Sequence, residues 1–190
     1  DDKEQNRMLR QVQMQLNNLP ENAKEQEDVL LLAATMDFSQ EKFEQAILKL
    51  RRALKLYPVN YQVHQLLAQS YLQLGDAKTA GGFSRQALEL NPADFQLYLL
   101  GAAVARAQRD PATELKLLQQ AFNAFPQQPE IRKAYIQSLL SNNQSAEARR
   151  LLTEQGGTSQ QADLIVLGYL QLEQGMLNEA RQTAADLLKS

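Results

Sequence analysis

The residue types on which most protein catalysis depends are scarce in this chain. It holds a single histidine, His64, and no cysteine among its 190 residues. A zinc site of the usual Cys and His composition, or a nucleophile activated by histidine, therefore has no residues to build it. His64 lies at a position of a helical pattern where large side chains pack, and we interpret it as a partly buried packing residue.

Neighbouring carboxylates are the second group that could do chemistry. Glu25, Glu27 and Asp28 lie close together in the sequence. General acid and base catalysis by carboxyl groups requires a shaped cleft that holds them in different environments. Nothing in the surrounding pattern indicates such a cleft, so we interpret these residues as solvated charges. We therefore predict no catalytic residue, no bound metal and no cofactor.

A pair of adjacent glycines could suggest a phosphate-binding loop. Gly81 and Gly82 lie inside a predicted helix, however, whereas such loops lie between a strand and a helix. Glycine in a helix interior costs on the order of 1 kcal/mol relative to alanine. The pair is either a tolerated weak point or a place where another helix or a partner backbone comes close.

A basic cluster could suggest binding to nucleic acid. Lys49, Arg51, Arg52 and Lys55 lie within one predicted helix. The interleaved aromatic residues of a single-strand binder are absent, so a solvated face is the preferred interpretation. The net charge of −2 likewise gives no electrostatic argument for nucleic acid or for an anionic membrane.

The chain shows no membrane or targeting signal. No apolar run approaches the ~20 residues that span a bilayer, and no signal peptide is visible. The first residue is Asp1 rather than Met, which is typical of a processed protein or an expressed fragment.

The elements that position these residues follow a repeat. Three prolines and three alanines recur every 34 residues: Pro58, Pro92 and Pro126, and Ala53, Ala87 and Ala121. Each cycle is an apolar helical pattern that stops at the proline, because proline cannot continue a helix. Small residues such as Ala68 and Ala80 let paired helices approach each other closely.

The turn between paired helices favours a left-handed residue. Gly75, Gly175 and the tolerant Asn143 occupy the predicted turn in three cycles. Glu41 and Arg109 occupy it in two others and depart from that preference.

The pattern resembles the tetratricopeptide repeat, a helix–turn–helix unit of 34 residues. The second unit matches best, with Leu67, Ala68, Tyr71, Gly75, Ala80, Ala87 and Pro92. The resemblance covers residues 27–190 in about five units, which we place at 27–60, 61–94, 95–128, 129–160 and 161–190. The fourth unit is about two residues short of the repeat length and ends at Gly156 and Gly157 without the proline. Residues 1–26, with a predicted helix over 4–18, are an N-terminal capping helix or a degenerate repeat.

The resemblance implies an all-α fold, namely a tetratricopeptide-type α-solenoid. Antiparallel helix pairs would stack into a right-handed superhelix, because no single unit can bury its apolar face alone. The inner wall of that superhelix is the expected binding groove for a protein or peptide partner.

In the family, four positions of each first helix line this groove. Transferred to this sequence, they give the candidate partner-binding residues Thr35, Phe38, Gln62, Gln65, Gln69, Leu72, Gln96, Leu99, Arg106, Lys133, Gln137 and Tyr169. The same positions also hold Leu31, Leu140, Ala162, Ile165 and Leu172. This lining is rich in amides, which can both donate to and accept from a peptide backbone. The Lys and Asn clamp of chaperone-binding members is absent, since Leu31, Thr35, Gln65 and Gln69 occupy its positions.

These observations predict a non-catalytic scaffold or adaptor that binds a protein or peptide, not nucleic acid, and does not insert into a membrane. The resemblance and the Gln-rich, Cys-free composition favour a bacterial envelope assembly in the periplasm, for secretion, pilus formation, polysaccharide export or cytochrome maturation. A cytoplasmic location is the alternative. Two other functions stay open: a homo-oligomer that self-assembles through its C-terminal helix pair, or a substrate-locating module of a larger enzyme or co-chaperone.

Overall fold

The structure is a computed structural model that describes residues 2–155 and 160–188. Its helices are α1 Asp2–Asn17, α2 Glu21–Lys24, α3 Glu27–Ser39, α4 Phe43–Leu56, α5 Tyr61–Gln73, α6 Ala77–Leu90, α7 Phe95–Ala107, α8 Pro111–Ala124, α9 Pro129–Ser141, α10 Ser145–Gln155, α11 Gln160–Glu173 and α12 Leu177–Leu187. These described ranges contain no strand, which confirms the predicted all-α class. None of the described helices is both long enough and apolar enough to cross a bilayer.

The same main-chain motif closes the turn after each of α3, α5, α7, α9 and α11. Its middle residue has a left-handed φ, and these residues are Glu41, Gly75, Arg109, Asn143 and Gly175. In the turn after α5, the N–H of Asp76 donates to the carbonyl of Tyr71 over 2.9 Å, and equivalent bonds recur in the other four turns. This pattern is the Schellman motif, so the turn positions predicted from the repeat are confirmed.

Prolines and polar caps set the boundaries between units. Helices α4, α6 and α8 each end two residues before a repeat proline, as predicted. The side chains of Asn60 and Asp94 then accept from the main-chain N–H groups of Gln62, over 2.8 Å, and Gln96, over 2.9 Å. These bonds satisfy donors that a helix start leaves free. Asn60 also donates to Glu27 over 2.6 Å, which ties the start of α5 to the start of α3.

The recurring small residues lie where paired helices meet. Ala34, Ala46, Ala53, Ala68, Ala80, Ala87, Ala121 and Ala148 are fully buried. Larger side chains such as Leu50, Val63 and Leu67 fill the space around the first three of them. Glu114 occupies a position where the repeat expects alanine, and it too is buried.

The chain divides into two compact units, Asp1–Asp110 and Pro111–Ser190. In the first, α3 pairs with α4 and α5 with α6, while α5 lies against both α3 and α7. Helix α1 packs on α3. In the second, α9 packs on α8 and α10, and α11 packs on α10 and α12. The predicted end of the fourth repeat, at Gly156 and Gly157, lies outside the described residues.

Candidate partner-binding face

Helices α3, α5 and α7 carry nine of the predicted residues at equivalent positions of neighbouring helices. We call this set the α3–α5–α7 face: Thr35, Phe38, Gln62, Gln65, Gln69, Leu72, Gln96, Leu99 and Arg106. None of the nine side chains is buried, and Thr35, Gln62, Gln96 and Arg106 are exposed. The other five are half-buried. All nine are therefore accessible to a ligand to some degree.

Two glutamines on α5 give this face its particular chemistry. Gln65 and Gln69 lie one helical turn apart, and both are half-buried. Within the described part of the chain, neither side-chain amide has a hydrogen-bond partner. A primary amide offers two donor hydrogens and a carbonyl acceptor, so both groups are free to bind polar atoms of a ligand.

Apolar side chains adjoin these amides. Leu31 and Phe38 pack against the core of the first compact unit without being fully enclosed by it, and Leu72 does the same beside Gln69. The ring of Phe38 meets the ring of Phe43 edge-on, with centroids 5.3 Å apart, which holds its orientation. The face therefore combines amides that bond to no other described residue with partly covered apolar surface.

The hydroxyl of Thr35 already forms a hydrogen bond within its own helix. Its Oγ1 donates to the main-chain carbonyl of Leu31 over 2.8 Å. Such a bond within a helix leaves the hydroxyl only as an acceptor toward a ligand. Thr35 is therefore a less versatile candidate contact than Gln65 or Gln69.

In the second compact unit, α11 carries an exposed apolar stripe. Tyr169 is 61% exposed, and Ile165 and Leu172 on the same helix are 57% and 56% exposed. Their spacing places all three on one side of the helix. On α9, the candidate residues Lys133 and Gln137 are exposed and half-buried, respectively. The groove positions on α11 are thus more apolar than those on α5.

Two other positions given by the family rule do not extend this surface. Leu140 is buried in the core of the second unit, so the expectation that it lines the groove is wrong. The side chain of Ala162 lies outside the described residues.

His64 is a packing residue, and it is more deeply buried than the predicted partial burial. Its side chain is 5% exposed, and its ring lies 6.1 Å from that of Phe83. Nε2 lies 2.9 Å from the carbonyl oxygen of Pro58. Because a carbonyl can only accept, Nε2 carries the proton and donates it. Among the described residues, no group of three His, Asp or Glu side chains could hold a metal ion.

The fold partly neutralises the basic cluster on α4. Lys49 pairs with the buried carboxylate of Asp37, and Arg52 pairs with Glu25. Sequence reasoning missed the pair with Asp37. The residues around Asp37 in α3 are mostly apolar, and the sequence alone does not show which cation the turn places opposite this carboxylate.

The other two cations of the cluster have no carboxylate partner among the described residues. Arg51 donates from Nε and Nη2 to the hydroxyl of Tyr71, over 3.0 and 2.6 Å. Lys55 is exposed.

Gly81 and Gly82 have different surroundings. A Cβ atom on Gly81 would lie 2.5 Å from Nε2 of Gln108, a side chain that donates to the carbonyl of Ala77 over 2.7 Å. The end of α7 therefore comes close to α6 here, as one of the two interpretations of this pair predicts. Gly82 is exposed, and a Cβ atom there would meet nothing within 4 Å.

Comparisons with known proteins agree with this geometry. Residues 61–94 match the family model described as the tetratricopeptide repeat. The solved structure of YrrB, described as a TPR protein with an unusual peptide-binding site, is 20% identical, with a TM-score of 0.65 over 89% of this chain and 86% of YrrB. Residues 61–94 therefore form a tetratricopeptide repeat, and the chain has the fold of tetratricopeptide-repeat proteins.

Other solved tetratricopeptide-like folds align over most of their length. MamA is 14% identical, with a TM-score of 0.67 over 88% of this chain and 92% of MamA. A thermophilic TPR protein of Thermus thermophilus is 19% identical, with a TM-score of 0.60 over 86% of this chain and 91% of that one. No curated protein matches the sequence significantly. The chain thus has the helical-solenoid fold of tetratricopeptide-repeat proteins, and the matched residues 61–94 hold α5 and α6.

Proposed function

We propose that this tetratricopeptide-repeat protein is a non-catalytic scaffold that binds a peptide segment or a protein partner on the α3–α5–α7 face. The observation that carries the proposal is the state of Gln65 and Gln69. Both residues are half-buried, and none of the described residues bonds to their side-chain amides. The amides are not among the buried polar atoms, so their donors and acceptors stay accessible and can bind polar atoms of a ligand in place of water.

The surroundings of the two glutamines support a peptide as the ligand. A peptide group presents one N–H and one carbonyl, which matches what a primary amide can accept and donate. The adjoining Leu72 and Leu99 are partly open, and each can contact an apolar side chain of the same ligand. The peptide-binding site described for YrrB, which shares the fold, lends further support.

A second candidate function rests on the exposed stripe of α11. Ile165, Tyr169 and Leu172 are each more than half exposed on one side of that helix. Contiguous apolar surface of this kind often marks a protein interface. Self-association through the C-terminal helix pair would cover it. Light scattering over a range of protein concentrations tests this: a monomer at every concentration excludes it.

The setting that we propose for the scaffold is a bacterial envelope assembly. The Gln-rich and Cys-free composition supports this placement. Fractionation of the native organism tests it, because protein found only in the cytoplasm would exclude the periplasm. A substrate-locating module of a larger enzyme or co-chaperone is the alternative setting, and the same face would serve it.

The proposal is tested by affinity capture with the parent chain and a variant carrying Gln65→Glu, Gln69→Glu and Leu99→Glu. Negative charges on this face should remove most partner binding, because a carboxylate cannot donate to a peptide carbonyl. A matched control carries Gln119→Glu, Gln120→Glu and Leu90→Glu, the same changes at exposed residues outside the face. Circular dichroism melting checks that both variants fold. If the face variant retains every partner of the parent, the proposed site is wrong.

A further inference from the structure

Helix α4 carries a second exposed surface, outside the α3–α5–α7 face. Leu48 is 70% exposed near the middle of the helix. Arg51 and Lys55 follow three and seven residues later, and both are exposed. This spacing places all three on one side of α4. We call these three residues, together with Gly82 of α6, the α4–α6 seam.

Tyr71 connects the two sides of the seam. Arg51 donates twice to its hydroxyl, and the guanidinium carbon lies 5.8 Å from the centroid of its ring. The same ring stacks on Phe83 of α6, with an interplanar angle of 5° and centroids 5.7 Å apart. Arg51 is thus held against Tyr71 of α5, whose ring also stacks on Phe83, the residue that follows Gly82 in α6. A guanidinium already fixed in place loses little conformational entropy when it binds an anion.

The positive charge of the seam is uncompensated. Helix α4 contains four cations and one carboxylate, Glu44, although the whole chain has a net charge of −2. Lys49 and Arg52 are paired with carboxylates of other helices and turns. Within the described ranges, neither Arg51 nor Lys55 forms an ion pair. The tyrosine hydroxyl orients Arg51 without neutralising it.

Gly82 provides an independent observation on the α6 side. It is an exposed residue in the interior of α6, where glycine lowers helix stability relative to alanine. A Cβ atom would meet nothing within 4 Å, so packing within the described chain does not require glycine there. Because Gly82 has no side chain, the surface beside Phe83 is recessed, and a partner backbone can approach it closely.

We propose that the α4–α6 seam docks an acidic segment of another protein. An apolar side chain of that segment packs on Leu48, and its carboxylates pair with Arg51 and Lys55. The positive charges of Arg51 and Lys55 favour an acidic segment as the partner. Two uncompensated cations fall short of the ~4–8 that attract a protein segment to anionic lipid. The seam lies outside the residues of the proposed peptide-binding face and does not depend on that function.

The test uses fluorescence anisotropy with a fluorescein-labelled peptide in which glutamates flank a central pair of leucines. One control peptide has lysine in place of each glutamate, and a second has serine in place of each leucine. Anionic phosphatidylglycerol vesicles are assayed in parallel by flotation. The protein variants are Leu48→Ser with Lys55→Glu, and Gly82→Gln. Lys116→Glu is the matched control, since Lys116 is an exposed cation on α8.

The acidic leucine peptide should bind the parent chain more tightly than either control peptide. The Leu48→Ser, Lys55→Glu variant should weaken that binding about tenfold or more. Gly82→Gln should weaken it several-fold while raising the unfolding midpoint, a combination that damage to the fold cannot produce. Lys116→Glu should leave binding unchanged.

Three results would overturn the proposal. The first is equal binding of the acidic and lysine peptides by the parent, or no binding of either. The second is a loss of peptide binding in Lys116→Glu equal to that in Leu48→Ser with Lys55→Glu. Such a loss would mean that only the overall charge of the protein attracts the peptide. The third is that the parent chain binds the vesicles but not the acidic peptide, and that Leu48→Ser with Lys55→Glu abolishes the vesicle binding. The seam would then bind lipid.

Discussion

Gly81 lies so close to Gln108 that a Cβ atom at residue 81 would be 2.5 Å from the side-chain nitrogen of Gln108. That nitrogen donates to the carbonyl of Ala77, in the first turn of α6. The bond joins the end of α7 to the start of α6, and a Cβ atom at residue 81 would push the amide of Gln108 away from it. Gly82, one residue later, has no such neighbour.

The two glycines should therefore respond differently to alanine. Gly82→Ala should raise the free energy of unfolding by about 0.5–1 kcal/mol, because it improves helix propensity without a clash. Gly81→Ala should stabilise less or destabilise, because the amide of Gln108 must move and give up its bond to Ala77. Urea denaturation of both variants measures the difference. Equal stabilisation by the two substitutions would contradict this account.

Glu41 and Arg109 adopt the left-handed conformation despite carrying a Cβ atom. Glycine has no steric penalty there, so Glu41→Gly and Arg109→Gly should each stabilise the protein by about 1 kcal/mol. The gain is reduced by the greater freedom of glycine in the unfolded chain. The reciprocal change Gly75→Ala should destabilise. Thermal melts followed by circular dichroism test all three, and a loss of stability in both glycine variants would refute the strain argument.

Asp37 is a buried carboxylate whose ion pair with Lys49 joins α3 to α4. Lys49→Met should destabilise by roughly 2 kcal/mol, since it leaves a buried charge without its partner. Lys55→Met, at an exposed cation without an ion pair among the described residues, should change stability by less than about 0.5 kcal/mol. Denaturant titration compares the two variants. Small and similar changes in stability for both variants would mean that the Asp37–Lys49 ion pair contributes little to the stability of the protein.

Asp76 caps α6, and its hydrogen bond with Thr79 lowers the pKa of its carboxyl group below the ordinary value for aspartate. A lowered pKa in the folded state means that the ionised cap stabilises the protein above the pKa of the unfolded state. This contribution is lost as the pH falls through the lower, folded-state pKa. Asp76→Asn keeps an acceptor but cannot titrate. The stability difference between parent and variant should therefore shrink as the pH falls through that window, and urea titrations at several pH values measure it. A constant difference would contradict the assignment.

The residues that recur in each repeat predicted the helix boundaries better than individual side chains predicted the contacts between helices. Prolines and turn residues act locally, through φ restriction and the left-handed conformation, so their spacing alone located the helix boundaries. Even Glu41 and Arg109 follow the turn geometry, because the Schellman motif around them outweighs their intrinsic preference.

Contacts between helices could not be predicted in the same way. The pairing of Asp37 with Lys49, and the placement of Arg51 on Tyr71, depend on the rotation of each helix about its axis. The family rule placed Leu140 in the groove, but its side of α9 packs into the core instead. Which groove positions are free can be read only from burial, which separates the half-buried Gln65, Gln69 and Gln137 from the exposed Gln62 and Gln96.

The central claim, that the α3–α5–α7 face binds a partner, is tested most directly by site-specific photo-crosslinking in cells. A photoreactive phenylalanine is placed at residue 65, at residue 69, and at residue 119 as an exposed control on α8. The account predicts one shared crosslinked partner from residues 65 and 69, lost when Leu99→Glu is added, and absent from residue 119. Crosslinks from residue 119 alone, or the same products from all three positions, would contradict it.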